Sequence, residues 1–398
     1  MRIKGRERGG REQGVGSGRC GAGSAPDPRV AGKIAFFMRA LDGGGAQRDM
    51  ILLANEIAAR GRSVDLLSLV PTGALRALVA SRVKVVPIAG SRLRSAVPAL
   101  RRALLTCRPQ VLVSAEAAPN LVAIAATRLL ARSARPRLVL REVGSPSFTE
   151  RLDPHRQTRI AYRLLHAAYR WADVIVTLTE GASRDLARNF GVPAHKLARA
   201  PSNAVVEDAA LAPTETEARQ QGLVVSVGRL SAEKDHATLL RAFAKLDRRT
   251  GARLEIVGTG PLRQALATLI EDLALGDRVS LTGFVLDPFP VFRRAALAVS
   301  SSRCEGFGNA IIEALSCGTP VVATDCPYGP REILDGGRYG HLVPVGDADA
   351  LARAMGRALT SPPERAVLRA RAAEHTIARG ADALMTIIDR CVEREACP

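Results

Sequence analysis

Residues Leu297–Ser316 read LAVSSSRCEGFGNAIIEALS. Leu297–Ser300 is a short apolar run of the kind that forms a buried strand, and Asn309–Ser316 carries a helical pattern. In the loop between them, Gly306 and Gly308 let the backbone approach a ligand closely. Free N–H groups at the start of the following helix favour an anion there. Glu305 stands in the loop and Glu313 about one turn inside the helix, so both carboxylates can face one crevice. Ionised carboxylates accept hydrogen bonds from paired hydroxyls such as those of a sugar or a ribose. The plainer alternative is an acidic helix start with one solvated glutamate.

The same strand–loop–helix unit recurs outward in both directions. In the second half of the chain, strands are expected at Leu223–Val227, Leu254–Val257, Val279–Thr282, Leu297–Ser300 and Pro320–Ala323, with helices at Asp235–Leu246, Pro261–Leu273 and Asn309–Ser316. In the first half, strands are expected at Ile34–Met38, Val64–Val70, Val83–Pro87, Val111–Ser114, Leu138–Arg141 and Val174–Leu178, with a first helix from about Ala46 to Arg60. Continuous apolar strands joined by helices imply parallel sheets covered on both faces. Lys196–Val206, with Pro201 and Asn203, reads as the connector between the halves. The fold class is therefore α/β: two doubly wound, Rossmann-like domains with a cleft between them. The expected division is a leader at 1–31, a first domain at 32–205, a second at 206–375 and a closing helix at 376–398. Ligand chemistry is sought in the loops that follow strands.

Three further loops carry candidate chemistry. Gly228–Asp235 reads GRLSAEKD and holds Arg229 and Lys234, two cations that can converge on one diphosphate. Asp42–Gln47 reads DGGGAQ, and its glycines permit close approach of a ligand from the other side of the cleft. Gly283-Phe284-Val285 can hold a base by backbone contact and packing, although a core phenylalanine is the commoner use. Val257–Pro261 is a glycine-rich turn that departs from the dinucleotide fingerprint. Asp347-Ala348-Asp349 could be taken for a metal–diphosphate ligand pair, but its place at a helix start points to capping.

Taken together, these residues resemble the retaining nucleotide-sugar glycosyltransferases of family four, which have the GT-B fold. The resemblance rests on VSVGRLSAEKDHATLLRAF, LEIVGTGPLRQAL, VSLTGFVLDP, SSRCEGFGNAIIEALSCGTPVVATDCPYGPREIL and GRYGHLVPVGD, in that order. It is strong from about Leu223 to Asp349 and looser from Lys33 to Val206. The resemblance implies that Arg229 and Lys234 hold the donor diphosphate, Glu313 the ribose hydroxyls and Glu305 the transferred sugar. It further implies backbone N–H contacts from Gly306, Phe307 and Gly308 beside Asn309, donor phosphate contacts from Gly44 and Gly45, and a base near Phe284 and Val285. The family's chemistry retains anomeric configuration and needs no metal and no cofactor. Many relatives place a histidine near the sugar. The six histidines here fall outside the corresponding loops, so Glu116, Arg141 and Glu142 are the candidates for acceptor or sugar contacts.

Composition narrows the partners. The formal net charge of +18 is uneven. Residues 1–200 carry 34 Lys and Arg against 14 Asp and Glu (+20), whereas residues 201–398 carry 23 against 25 (−2). A basic half suggests an anionic partner, and with this resemblance the expected one is an anionic membrane surface bearing a lipid-linked or glycan acceptor of lipopolysaccharide or exopolysaccharide type. Each Lys or Arg near such a surface contributes about 1 kcal/mol. No apolar run approaches the ~20 residues needed to span a bilayer, and Arg2–Gly23 has no apolar segment of a secretory signal. The 7 cysteines are odd in number, with no CxxC pair, which fits a reducing cytoplasm. The expected place is the inner face of the cell membrane. A nucleic-acid-binding role conflicts with 4% aromatic content and the lack of any helix-turn-helix or zinc signature. A nucleotide-sugar 2-epimerase of the same fold would need an acid and base around the sugar C2.

Overall fold

A computed structural model of the protein describes residues 32–393, apart from 43, 90–92, 153–154 and 201–218. The leader at 1–31, most of the expected connector, the 205/206 boundary, Cys20 and Cys397 lie outside the described residues.

Two all-parallel sheets emerge from the two runs of alternation. The first comprises β1 (Ile34–Ala40), β2 (Val64–Val70), β3 (Lys84–Pro87), β4 (Val111–Ala115), β5 (Arg137–Glu142), β6 (Val174–Thr177) and β7 (Leu197–Arg199), in the order β3-β2-β1-β4-β5-β6-β7. The second comprises β8 (Leu223–Val227), β9 (Arg253–Val257), β10 (Val279–Gly283), β11 (Leu297–Ser300), β12 (Val321–Thr324) and β13 (His341–Val343), in the order β10-β9-β8-β11-β12-β13. Both halves are thus doubly wound α/β units, as expected. The strands β7 and β13 were not anticipated. Each is a three-residue edge strand, too short to show a period, and each is defined by its neighbour: Thr177 opposite Arg199, and Thr324 opposite Val343.

The apolar strands are apolar because both faces are covered. On β1, Ala35 and Phe37 join the core under the helices Leu93–Cys107, Ala117–Arg128 and Arg156–Ala168, while Ile34, Phe36 and Met38 face the helix Gly45–Ala59. In the second half, Val225 packs towards the helix Asn309–Ser316, and Val224 towards His236–Ala244 and Ala348–Thr360. Asp347 caps the last of these helices, its Oδ1 accepting the Ala350 N–H at 2.8 Å, so the Asp-x-Asp does serve as a helix start.

Near the end of the described residues stand two helices, Arg365–Ala372 and Ile377–Glu393. The first packs on Asn309–Ser316 and the second on the first half. Ala381, Leu384, Ile388 and Cys391 recur at helical spacing and enter the core around Ile34, Ile51 and Ile57. Arg60 and Arg62 pair with Asp382 and Asp389 along that seam. Among the described residues no helix is long and apolar enough to cross a membrane.

Candidate active site

Strand order reverses between β1 and β4 in the first sheet and between β8 and β11 in the second. At such points the loops leaving neighbouring strands diverge to opposite faces and open a crevice at the strands' carboxyl ends. The loops concerned are those carrying Gly44 and Gly45 (after β1), Glu116 (after β4), Arg229 and Lys234 (after β8), and Glu305 (after β11). The two crevices face each other. A Cβ placed on Gly44 would lie 3.6 Å from Arg229 Nη2, and one on Gly45 would lie 3.6 Å from Asn309 Nδ2. Gly44, with φ +152°, could not carry a side chain without strain. At Gly306 the approach is tighter still: a Cβ would fall 1.7 Å from the Val143 carbonyl oxygen of the first half.

Local structure explains how the charges of the second half are aimed. After β8 the chain makes one 3-10 turn, Ala232–Lys234, and then Asp235 adopts a left-handed conformation with its side chain accepting the Thr238 N–H and hydroxyl. That turn points Lys234 back across the crevice, where its Nζ lies 2.6 Å from Glu305 Oε1. The Ser302 hydroxyl donates to the same oxygen at 2.6 Å, and the Ser301 hydroxyl donates to the Lys234 carbonyl at 2.9 Å. Burial alone would lower the Lys234 pKa, but the Glu305 carboxylate and its hydrogen bond carry it above the ordinary lysine value. The Glu305 backbone is held by Pro327 O and the Tyr328 N–H, and from the first half by the Ser145 hydroxyl at 2.9 Å.

Glu313 sits a turn inside the helix that begins after Gly308. It is almost buried, and burial raises its pKa, an effect opposed by Arg48, whose Nη1 lies 2.8 Å from Glu313 Oε1. Arg48 belongs to the first half, so this pair spans the cleft. The Phe307 side chain is turned away into the second-half core against His375, with ring centroids 5.3 Å apart. Its backbone alone faces the loop's other contacts. Phe284 is half exposed and Val285 half buried, both just beyond the end of β10.

Of the three residues expected to meet an acceptor, Glu116 is at the cleft. It is half-buried with φ +71°, accepts from Gln47 Nε2 at 3.2 Å, and has its pKa raised by burial against the opposing influence of Arg229 and Arg39. The expectation fails for the other two. Arg141 is fully buried, with Nη1 donating to Asp49 Oδ2 at 2.7 Å. Glu142 is also buried and accepts from the Tyr162 and Tyr169 hydroxyls, each at 2.7 Å, and from the Gly144 N–H at 3.2 Å. Burial raises the Glu142 pKa, with those donors opposing it. Both side chains are committed to the interior; Glu142 acts on the cleft only by fixing the loop that receives Gly306.

Sequence reasoning also missed residues. Arg48, Gln47 and Ser145 reach the cleft. Arg48 could have been found from its position in the first turn after the glycine loop, but nothing local marks Ser145. No histidine lies in the first-half loops where relatives hold one, but His236, at the start of the helix after β8, lines a small cavity with Lys234, Ser302 and Glu305. Burial, and then Lys234, lower its pKa to about 4, so it is neutral there.

Comparison with known proteins bears on this geometry. The family described as "Glycosyl transferase 4-like domain" matches residues 44–203, and "Glycosyl transferases group 1" matches 221–361. The N-acetylgalactosamine-N,N'-diacetylbacillosaminyl-diphospho-undecaprenol 4-alpha-N-acetylgalactosaminyltransferase of Campylobacter jejuni is 32% identical over 233 residues, which are 58% of this chain and 62% of that protein. The lipopolysaccharide core biosynthesis glycosyltransferase LpsE of Rhizobium meliloti is 37% identical over 133 residues, 33% of this chain and 38% of that one. The matched region thus spans less than two thirds of either relative. Among solved structures, Anabaena Alr3699/HepE in complex with UDP and glucose superposes with a TM-score of 0.75 at 20% identity, covering 90% of this chain and 100% of that one. At that identity the likeness speaks to fold alone.

Proposed function

This chain belongs to the group 1 glycosyltransferases and has their GT-B fold, and from that premise we propose that it moves a hexose or N-acetylhexosamine from a UDP-sugar to a lipid-linked, polysaccharide or lipopolysaccharide acceptor, with retention and without a metal. One observation carries the reading. Arg229, Lys234, Glu305 and Glu313 meet the glycine-led starts of two helices at facing switch points.

Breaking the bond between sugar C1 and the diphosphate oxygen moves negative charge onto the leaving group. Arg229 and Lys234, with the N–H groups of Gly44 and Gly45, are fixed where that charge develops and so stabilise the transition state more than the ground state. Glu305 accepts hydrogen bonds from the transferred sugar, beside the backbone N–H groups of Gly306, Phe307 and Gly308. Glu313 accepts from the ribose, and Phe284 with Val285 flanks the base. The acceptor hydroxyl attacks on the face the diphosphate leaves, and the leaving oxygen takes its proton. Glu116, at the first-half rim, is the acceptor or sugar contact that this geometry favours. The basic first half would rest on an anionic membrane at the cytoplasmic face.

The test is a thermal-shift panel with UDP, GDP, ADP and their sugars, with and without EDTA, followed by transfer of labelled sugar into lipid and glycan fractions. An EDTA-insensitive shift with UDP and one UDP-sugar is expected. Wild-type transfer by folded Lys234→Ala and Glu313→Ala variants would sink the proposal. Liposome binding indifferent to salt would remove the membrane part alone.

A further inference from the structure

Arg48 has no role in the reading above. It stands in the first turn of the helix Gly45–Ala59, just beyond the glycine loop, and reaches across the cleft to Glu313. The pair is largely shielded from water, with side chains 15% and 8% exposed. The Arg48 guanidinium also lies 5.7 Å from the centre of the Phe289 ring, which fixes it from the second half. Its Nε is buried and has no acceptor among the described residues. A guanidinium offers five N–H donors in a fixed fork, so Glu313 uses only part of what Arg48 can give.

Arg48 holds Glu313 through Oε1, so a pair of ribose hydroxyls spread over both carboxylate oxygens competes with the guanidinium for that atom. The second partner for Arg48 lies close by. The helix that carries it begins at Gly45, beside Asn309, and Gly44 faces Arg229. Lys234 acts electrostatically on Glu313 as well, so the carboxylate and the diphosphate cations share one field. Phosphate matches the guanidinium fork at two oxygens at once, which a single carboxylate oxygen does not.

Resting on the nucleotide-sugar reading of the cleft, we infer that Arg48 is a switching cation of the donor site. In the arrangement described it neutralises Glu313 across the cleft. A nucleoside diphosphate takes Glu313 with its ribose hydroxyls and draws the freed guanidinium onto its phosphates. The consequence is selectivity: a nucleoside alone competes with Arg48 for Glu313 and gives the guanidinium nothing in return, whereas a nucleoside diphosphate offers it phosphate oxygens. Arg48 is thereby a specificity-determining residue for the diphosphate, and it ties donor entry to contact between the halves.

The test compares uridine with UDP by titration calorimetry at pH 8, on the wild type and on Arg48→Ala, Arg48→Gln and Arg48→Lys. The two neutral replacements guard against misfolding of either one. Removing the charge is expected to strengthen uridine binding several-fold and weaken UDP binding about tenfold, while lysine keeps much of the UDP affinity. Opposite signs for the two ligands are what a merely structural role would not produce. Shifts of the same sign, or no shift in either, overturn the inference. Should the wild type prefer GDP or ADP, the comparison uses that diphosphate and its nucleoside. A wild type that binds none of the three sinks the functional reading itself, a failure visible before any variant is made.

Discussion

The two halves wind their sheets in the same order yet spend their charges differently. In the second half, the loops after β8 and β11 deliver Lys234 and Glu305 to the cleft, and the helix after Gly308 delivers Glu313. In the first half, the charged residues at the end of β5 turn inward: Arg141 to Asp49, and Glu142 to two tyrosines. What the first half offers the cleft is two charges from other elements, Arg48 and Glu116, beside backbone and small groups such as Gly44, Gly45, the Val143 carbonyl and the Ser145 hydroxyl. Topology therefore locates a crevice in each half, but local chemistry decides which charges near it reach the cleft and which turn inward.

The largest expected effect falls on stability in the first half. Replacing Arg141 or Asp49 with alanine breaks an ion pair buried on both sides, a loss of about 3–5 kcal/mol, readable in urea unfolding, with the UDP-induced thermal shift of the folded fraction kept. If unfolding is unaffected while transfer collapses, Arg141 is a cleft residue and the contrast between the halves breaks. Lys234→Ala should do the reverse in the second half, lowering turnover by about 100-fold or more with secondary structure intact, the size seen when one transition-state donor is removed.

Gly306→Ala probes the seam. Its methyl would strike the Val143 carbonyl, and holding the halves apart should reduce transfer by about ten- to a hundredfold. Gly276→Ala, which meets open space, serves as the control and should be silent. The smallest effect is pH-dependent and belongs to the second half. His236 and His375 are both lowered to about 4, each chiefly by burial. The unfolded chain takes up these protons near pH 6.5 and the folded chain only near 4, so the stability they confer is present above 6.5 and is lost as pH falls towards 4. The slope is at most about 1.4 kcal/mol per pH unit for each histidine. Unfolding free energy between pH 7 and 5 should therefore fall less in His375→Gln than in the wild type; equal falls would refute the neutral, buried imidazole.

Much of this was legible beforehand for identifiable reasons. Strands such as Ile34–Ala40 and Leu223–Val227 are buried on both faces over most of their length and announce themselves as largely apolar runs. The loops Gly228–Asp235 and Ser301–Gly308 are marked by glycine and charge between a strand and a helix. The edge strands Leu197–Arg199 and His341–Val343 were missed because three residues show no period. Arg141 and Glu142 were misjudged because a charged residue at a strand end looks alike whether it faces a ligand or an interior partner.

The amino-acid sequence by itself determined the alternation of strand and helix, the places where glycine admits close approach, and the loops that bear the chemistry. These follow from period, sterics and capping among near neighbours along the chain. Only the tertiary structure decided which charges reach the cleft and what they touch there. Arg48 and Glu313 are 265 residues apart, Arg141 and Asp49 are 92 apart, and Ser145 and Glu305 are 160 apart. Their pairing depends on burial and on closure of the two halves, and no local pattern carries that information.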